Sequence, residues 1–178
     1  GKAPGLRGLW AIACQPAFYH LVPGMCFGMG AGMAIQSLWM GPWIEDILQV
    51  SQATKSWFLL AINGFFVLTA LALGWITARL ARLGLRTEAV MIGGLVLGGV
   101  SLLLLTVLPP WIALGMFALT ITMQNACFLI YAYMTHRLGP ELAGRSNALI
   151  NTLLFAGVWA ILSLLGVVID AVTASGGS

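Results

Sequence analysis

The stretch WFLLAINGFFVLTALALGWITA, residues 57–78, runs for 22 residues without a single Asp, Glu, Lys, Arg or His and closes on Arg79. A helix needs about 20 apolar residues to cross about 30 Å of hydrocarbon, so this stretch has the length of a membrane span. Unpaired backbone groups are costly in lipid, and an uninterrupted run this long satisfies them as a helix. Working outward, four more charge-free stretches appear, at residues 21–43, 89–108, 111–134 and 148–169. Composition agrees: 60% of the 178 residues are apolar and 7% charged, too little polar surface to clothe a water-soluble globule. The sequence predicts an all-α, polytopic transmembrane bundle of five spans over residues 21–169. Residues 1–20 precede it and residues 170–178 form a flexible tail, linker-like at Ser175-Gly176-Gly177-Ser178.

The few charges orient the bundle. Lys2 and Arg7 precede the first span, Arg79, Arg82 and Arg86 join the second to the third, and Arg137 and Arg145 join the fourth to the fifth. Seven of the eight Lys and Arg therefore fall on one side, while Lys55 shares the other with Glu45, Asp46 and Asp170. The positive-inside rule predicts a cytoplasmic N-terminus and an outer C-terminus. The net charge of +3 is a topology signal and gives no basis for nucleic-acid binding, because the cations are dispersed over separate loops.

Residues 7–20, with Trp10, Phe18, Tyr19 and His20, read as a cytoplasmic interfacial segment. A cleavable leader does not fit, since Gln15 and Pro16 break the apolar run after Arg7 and no A-x-A-like site follows. Cys14, Cys26 and Cys127 lack metal-ligand or redox spacing and read as small thiols, the last two within spans. No zinc-protease, P-loop, nucleophile-elbow or paired-carboxylate pattern is present, and His20 and His136 sit near the cytoplasmic interface. The reading is of a non-enzyme without cofactor or metal, embedded in a lipid bilayer.

Within the spans, Gly24, Gly28 and Gly32 recur at intervals of four and share one helix face, a stripe along which another helix can approach. Pro42 is expected to end the first span. Amide side chains are costly in hydrocarbon unless they face a partner helix or a wet cavity. Gln36, Asn63, Gln124, Asn125 and Asn151 therefore mark spans 1, 2, 4 and 5 as interior and are candidates for a solute path. Span 3 has no amide; Ser101 and Thr106 can bond to their own helix, so span 3 is expected to face lipid. No ionisable residue sits at the centre of a span, so there is no proton relay or buried ion site to point to. Tyr131 and Tyr133, toward the cytoplasmic end of span 4, read as interface anchors.

Three segments carry a family resemblance. Gly74-Trp75-Ile76-Thr77-Ala78-Arg79-Leu80-Ala81-Arg82-Leu83-Gly84 resembles the G-x-x-x-D-R-x-G-R-R cytoplasmic loop of the major facilitator superfamily, with Ala78 where that loop usually has Asp. Pro140-Glu141-Leu142-Ala143-Gly144-Arg145-Ser146-Asn147-Ala148-Leu149-Ile150-Asn151 resembles the P-x-x-x-x-G-R loop and helix start between the tenth and eleventh helices of many bacterial members. Gln36-Ser37-Leu38-Trp39-Met40-Gly41-Pro42-Trp43-Ile44-Glu45-Asp46 resembles the end of the seventh helix in a bacterial branch. The resemblance covers nearly the whole chain and aligns its spans with helices seven to eleven. It implies part of the C-terminal half of a secondary transporter in a bacterial inner membrane. Such a protein moves a small solute between two six-helix halves by alternating access, so the implied partner is the other half. It also implies a gating role for Gly74, Arg79, Gly84, Gly144 and Arg145. With Gly1 in place of Met, a piece of a longer chain is expected. An alternative is a non-transporting transmembrane subunit that assembles with other membrane proteins through its glycine faces.

Overall fold

The computed structural model describes residues 6–175, so Lys2 and the Gly176–Ser178 end of the linker-like tail lie outside the described residues. Those residues are helical apart from short connections, and they include five helices long and apolar enough to cross a membrane. A short helix α1 (Leu6–Ala13) is followed by α2 (Pro16–Leu48), α3 (Gln52–Arg82), α4 (Thr87–Leu104), α5 (Pro110–Leu138) and α6 (Pro140–Ala174). Helices of this length and composition fit an integral membrane protein.

Local chemistry explains the starts and stops. Pro16 and Pro110 sit at the first position of their helices, where a missing N–H costs nothing. Ser51 caps α3 by accepting from the Thr54 backbone N–H at 3.3 Å. Arg79 and Arg82 in the last turn of α3, and His136 and Arg137 in the last turn of α5, complement the negative helix ends. Gly84 and Gly139 take positive φ, +84° and +80°, at the turns after α3 and α5.

Several boundaries differ from the sequence expectation. Pro42 does not end the first span: α2 continues to Leu48, because a π-helical turn over Ile35–Trp39 widens the helix just ahead of the ring. The segment 140–147 is not a loop, since α6 begins at Pro140 and carries Gly144 and Arg145 in its first turns. At the other end α6 extends to Ala174, so residues 170–174 are helix and not flexible tail.

Two apolar clusters form the core. One, containing Ile12, Val22, Met29, Met91, Ile130, Met134 and Ile150, joins α1, α2, α4, α5 and α6. The other, with Met40, Ile44, Ile62, Phe117 and Ile121, joins α2, α3 and α5. Basic residues gather at the first cluster's end: Arg86 pairs with Glu88 at 3.1 Å, the Tyr133 hydroxyl donates to Glu88 at 2.8 Å, and Arg137 lies 5.3 Å from the Tyr133 ring. Arg145 lies there too, packed against Gly8 of α1. The opposite end holds the Lys55–Glu45 ion pair.

Within this chain span 3 is not the peripheral helix. Met91, Gly94, Gly98 and Ser101 of α4 are buried, and α4 packs extensively on α5. A Cβ at Gly94 would sit 3.0 Å from the Met123 carbonyl oxygen, so the absence of a side chain is what lets α4 and α5 approach. Only 6% of the membrane-crossing window is buried in α3 and in α6, against 22% in α4. Amide counting missed this because α4 earns its interior face with glycine. Ser101 and Thr106 do bond back to Leu97 and Leu103, at 2.7 and 2.8 Å.

Candidate functional site

Two of the five spanning helices lose regular α geometry in mid-span, and both do so beside amides. In α2 the π turn Ile35–Trp39 routes the Met40 N–H to the Ile35 carbonyl, one residue farther back than an α-helix would. In α5 the chain tightens into a 3₁₀ turn over Asn125–Phe128, directly after Gln124. Gln36 thus belongs to the first irregular turn, Asn125 to the second.

The regular helix α3 receives both. Gln36 donates through Nε2 to Asn63 Oδ1, and Asn63 Nδ2 donates to its own helix at Leu59 O, 2.8 Å away. Six residues further along, Asn125 Nδ2 donates to Thr69 Oγ1 at 2.8 Å and to Phe66 O at 3.0 Å. Positions 63, 66 and 69 lie on neighbouring turns of one face, so α3 bridges the irregular turns of α2 and α5. Asn125 is 2% exposed, and its Oδ1 is buried without a hydrogen-bond partner.

The other two amides lie apart. Gln124 turns from α3 toward α2, where its carboxamide occupies the space that a Cβ at Gly32 would need. It borders a cavity of about 170 Å³ that Ile35, Gly98, Thr120 and Cys127 also line, and its Nε2 is buried without a partner. Thr120 closes the α4 side by donating to Gly98 O at 3.4 Å. Asn151 is exposed on α6 and accepts from the Tyr131 hydroxyl at 3.3 Å. The amides predicted from sequence therefore form an α3-centred group of Gln36, Asn63 and Asn125, a neighbour in Gln124, and a separate surface pair at Asn151.

The glycine stripe of α2 acts as a slot for side chains. Gly24 and Gly28 face Leu95, and Gly32 faces Gln124. Backbone-to-backbone approach happens elsewhere on the same helix: a Cβ at Gly30 would lie 3.0 Å from Val158 N and 3.2 Å from Gly157 C of α6. Neither Gly30 nor Gly157 stood out in the sequence, since neither belongs to a regular four-residue interval with a second glycine on its own face.

The residues linked to gating by resemblance sit at the basic end. Gly74 is exposed with open space around it, and Arg79 lies 5.2 Å from the Trp75 ring. Gly84 makes the turn after α3, where its N–H bonds Ala81 O at 3.0 Å. Gly144 is exposed on α6, one residue before Arg145. Sequence reasoning also passed over Thr69, which receives Asn125, and Thr122, a buried hydroxyl without a partner. Thr in an apolar span was the available signal, because a hydroxyl there needs an acceptor.

Cys26 and Cys127 are buried, and the Cys26 thiol contacts Ile150 O at 3.7 Å. Among the described residues no three His, Cys, Asp or Glu side chains are grouped to hold a metal ion. Comparison with protein-family models, with curated proteins and with solved structures found no match.

Proposed function

We propose that this chain is part of a secondary transporter of the major facilitator type, moving a small solute by alternating access. The observation that carries the reading is the pair of irregular turns in α2 and α5, both beside amides and both tied to α3. Transporters place solute sites near the bilayer midplane, where helices depart from regular geometry and free their polar groups. In a six-helix half made of two three-helix repeats, the first and fourth spans occupy equivalent positions, and α2 and α5 are the first and fourth spans here. Gln36, Asn63, Gln124 and Asn125 are then the solute-path residues, with the unpartnered Gln124 Nε2 and Asn125 Oδ1 as the atoms a solute or water satisfies. Asn151, exposed and paired with Tyr131, fits a contact with a further helix better than a place in the path.

The scant burial of α3 and α6 supports a missing partner, the other half of the transporter. It equally supports a non-transporting subunit within a larger complex. Counterflow by the full-length protein separates the two: proteoliposomes preloaded with the solute take up the labelled form faster than empty ones do. A panel of solutes that produces only leak-level entry would favour the subunit.

The basic end is proposed to face the cytoplasm of a bacterial cell, with the N-terminus inside and the C-terminal end of α6 outside. In a cysteine-free background, Arg82→Cys and Arg145→Cys should resist an impermeant thiol reagent in intact cells, and Gln52→Cys should react. Labelling of Arg82→Cys from outside reverses the orientation.

A further inference from the structure

A groove of about 550 Å³ opens at the end of the bundle opposite the basic loops, between the last turns of α2 and the facing parts of α4 and α5. The π turn sets its wall. By inserting one residue, it directs Trp39 into the groove, with Trp43 one turn on and Asp46 one turn beyond that. Phe117 of α5 meets Trp43 edge-on, ring centres 4.9 Å apart at 69°, and Leu102 of α4 closes the apolar side.

The charge at this end is uneven. Lys55, in the first turn of α3, carries the positive charge at this end, and Glu45 engages it. Asp46, next to Glu45 and exposed, has no ion-pair partner among the described residues, so a free carboxylate borders a groove in which the Trp39 and Trp43 rings stand among aliphatic side chains. Aromatic faces attract cations through the ring quadrupole, and a carboxylate beside them adds a full charge. An anion is repelled here, and a neutral molecule gains nothing from the Asp46 charge. Strongly hydrated inorganic ions gain less from aromatic faces than weakly hydrated quaternary ammonium groups do.

We propose that this groove binds a soluble organic cation, a quaternary ammonium or protonated amine with an apolar body, its charge between Asp46 and the Trp39 and Trp43 rings. The inference concerns binding alone and stands whether or not the chain takes part in transport.

The probe is benzyltrimethylammonium, titrated calorimetrically into the protein in maltoside micelles. Saturable binding is expected that equimolar sodium does not displace. Asp46→Asn should weaken it about tenfold and Asp46→Lys should abolish it, since reversing the charge turns attraction into repulsion. Trp39→Leu should weaken it roughly threefold or more through the lost ring. Because Asp46 is exposed, its variants should unfold at the wild-type temperature, which keeps binding and folding separate. Absence of saturable binding, or Asp46→Asn and Asp46→Lys within about twofold of wild type, overturns the proposal. Lipid supplies the remaining arm. Binding that persists in phosphatidylglycerol nanodiscs but disappears in phosphatidylcholine nanodiscs would assign the groove to a lipid headgroup and overturn the assignment to a soluble cation.

Discussion

Gly30→Leu is expected to prevent assembly of the bundle, while Gly115→Leu leaves it intact. A side chain at Gly30 points at the backbone of Gly157 and Val158, and backbone atoms cannot step aside as a rotamer does. The helices must separate, and α2 and α6 form one of the most extensive helix pairs in the fold. Overpacking typically costs about 1–3 kcal/mol, and displacing a backbone belongs at the upper end. Gly28→Leu should be milder, since its first obstacle is the Leu95 side chain, which can swing away. Gly115, with nothing within 4 Å, has room for the new group. Thermal unfolding in detergent, with size-exclusion profiles, ranks the three; equal behaviour of Gly30→Leu and Gly115→Leu would remove the close contact from the account.

The second large effect concerns the amides. Gln36→Leu and Asn63→Leu should each slow counterflow roughly tenfold, the loss of about 1.4 kcal/mol of solute contact. Stability should fall little, because an interhelical hydrogen bond in a membrane contributes about 0.6 kcal/mol on average. Asn125→Leu should lower stability as well as counterflow. Its amide bonds both Thr69 and Phe66 and is 2% exposed, so its removal loosens α3 from α5 and lowers stability first. Should Gln36→Leu and Asn63→Leu lose stability with no loss of counterflow beyond it, these residues hold helices together and do not handle solute.

The five spans were legible in the sequence because a charge-free apolar run of about 20 residues has one stable form in lipid. The pairing of amides was partly legible, since Gln36 and Asn63 each needed a partner in hydrocarbon. Their choice of each other was not, because the π turn that aims Gln36 depends on the packing around it. Span 3 was misjudged for a related reason: glycine carries no polar signal, yet Gly94 and Gly98 bring α4 as close to its neighbour as any amide would. The doubled glycines Gly93-Gly94 and Gly98-Gly99 were the sign to read. Gly144 and Arg145 were read as loop residues through the resemblance to a P-x-x-x-x-G-R loop, but a proline opens a helix as readily as it ends one.

The reading as an alternating-access transporter turns on whether the layer around the irregular turns meets water from each side of the membrane in turn. Gln36→Cys and Asn63→Cys, in a background where Cys14, Cys26 and Cys127 are replaced, report this without knowledge of the solute. An impermeant thiol reagent applied to right-side-out and to inverted vesicles should modify both positions from both faces. Modification from one face alone, or from neither, would contradict alternating access and leave a helix bundle that serves as a membrane scaffold.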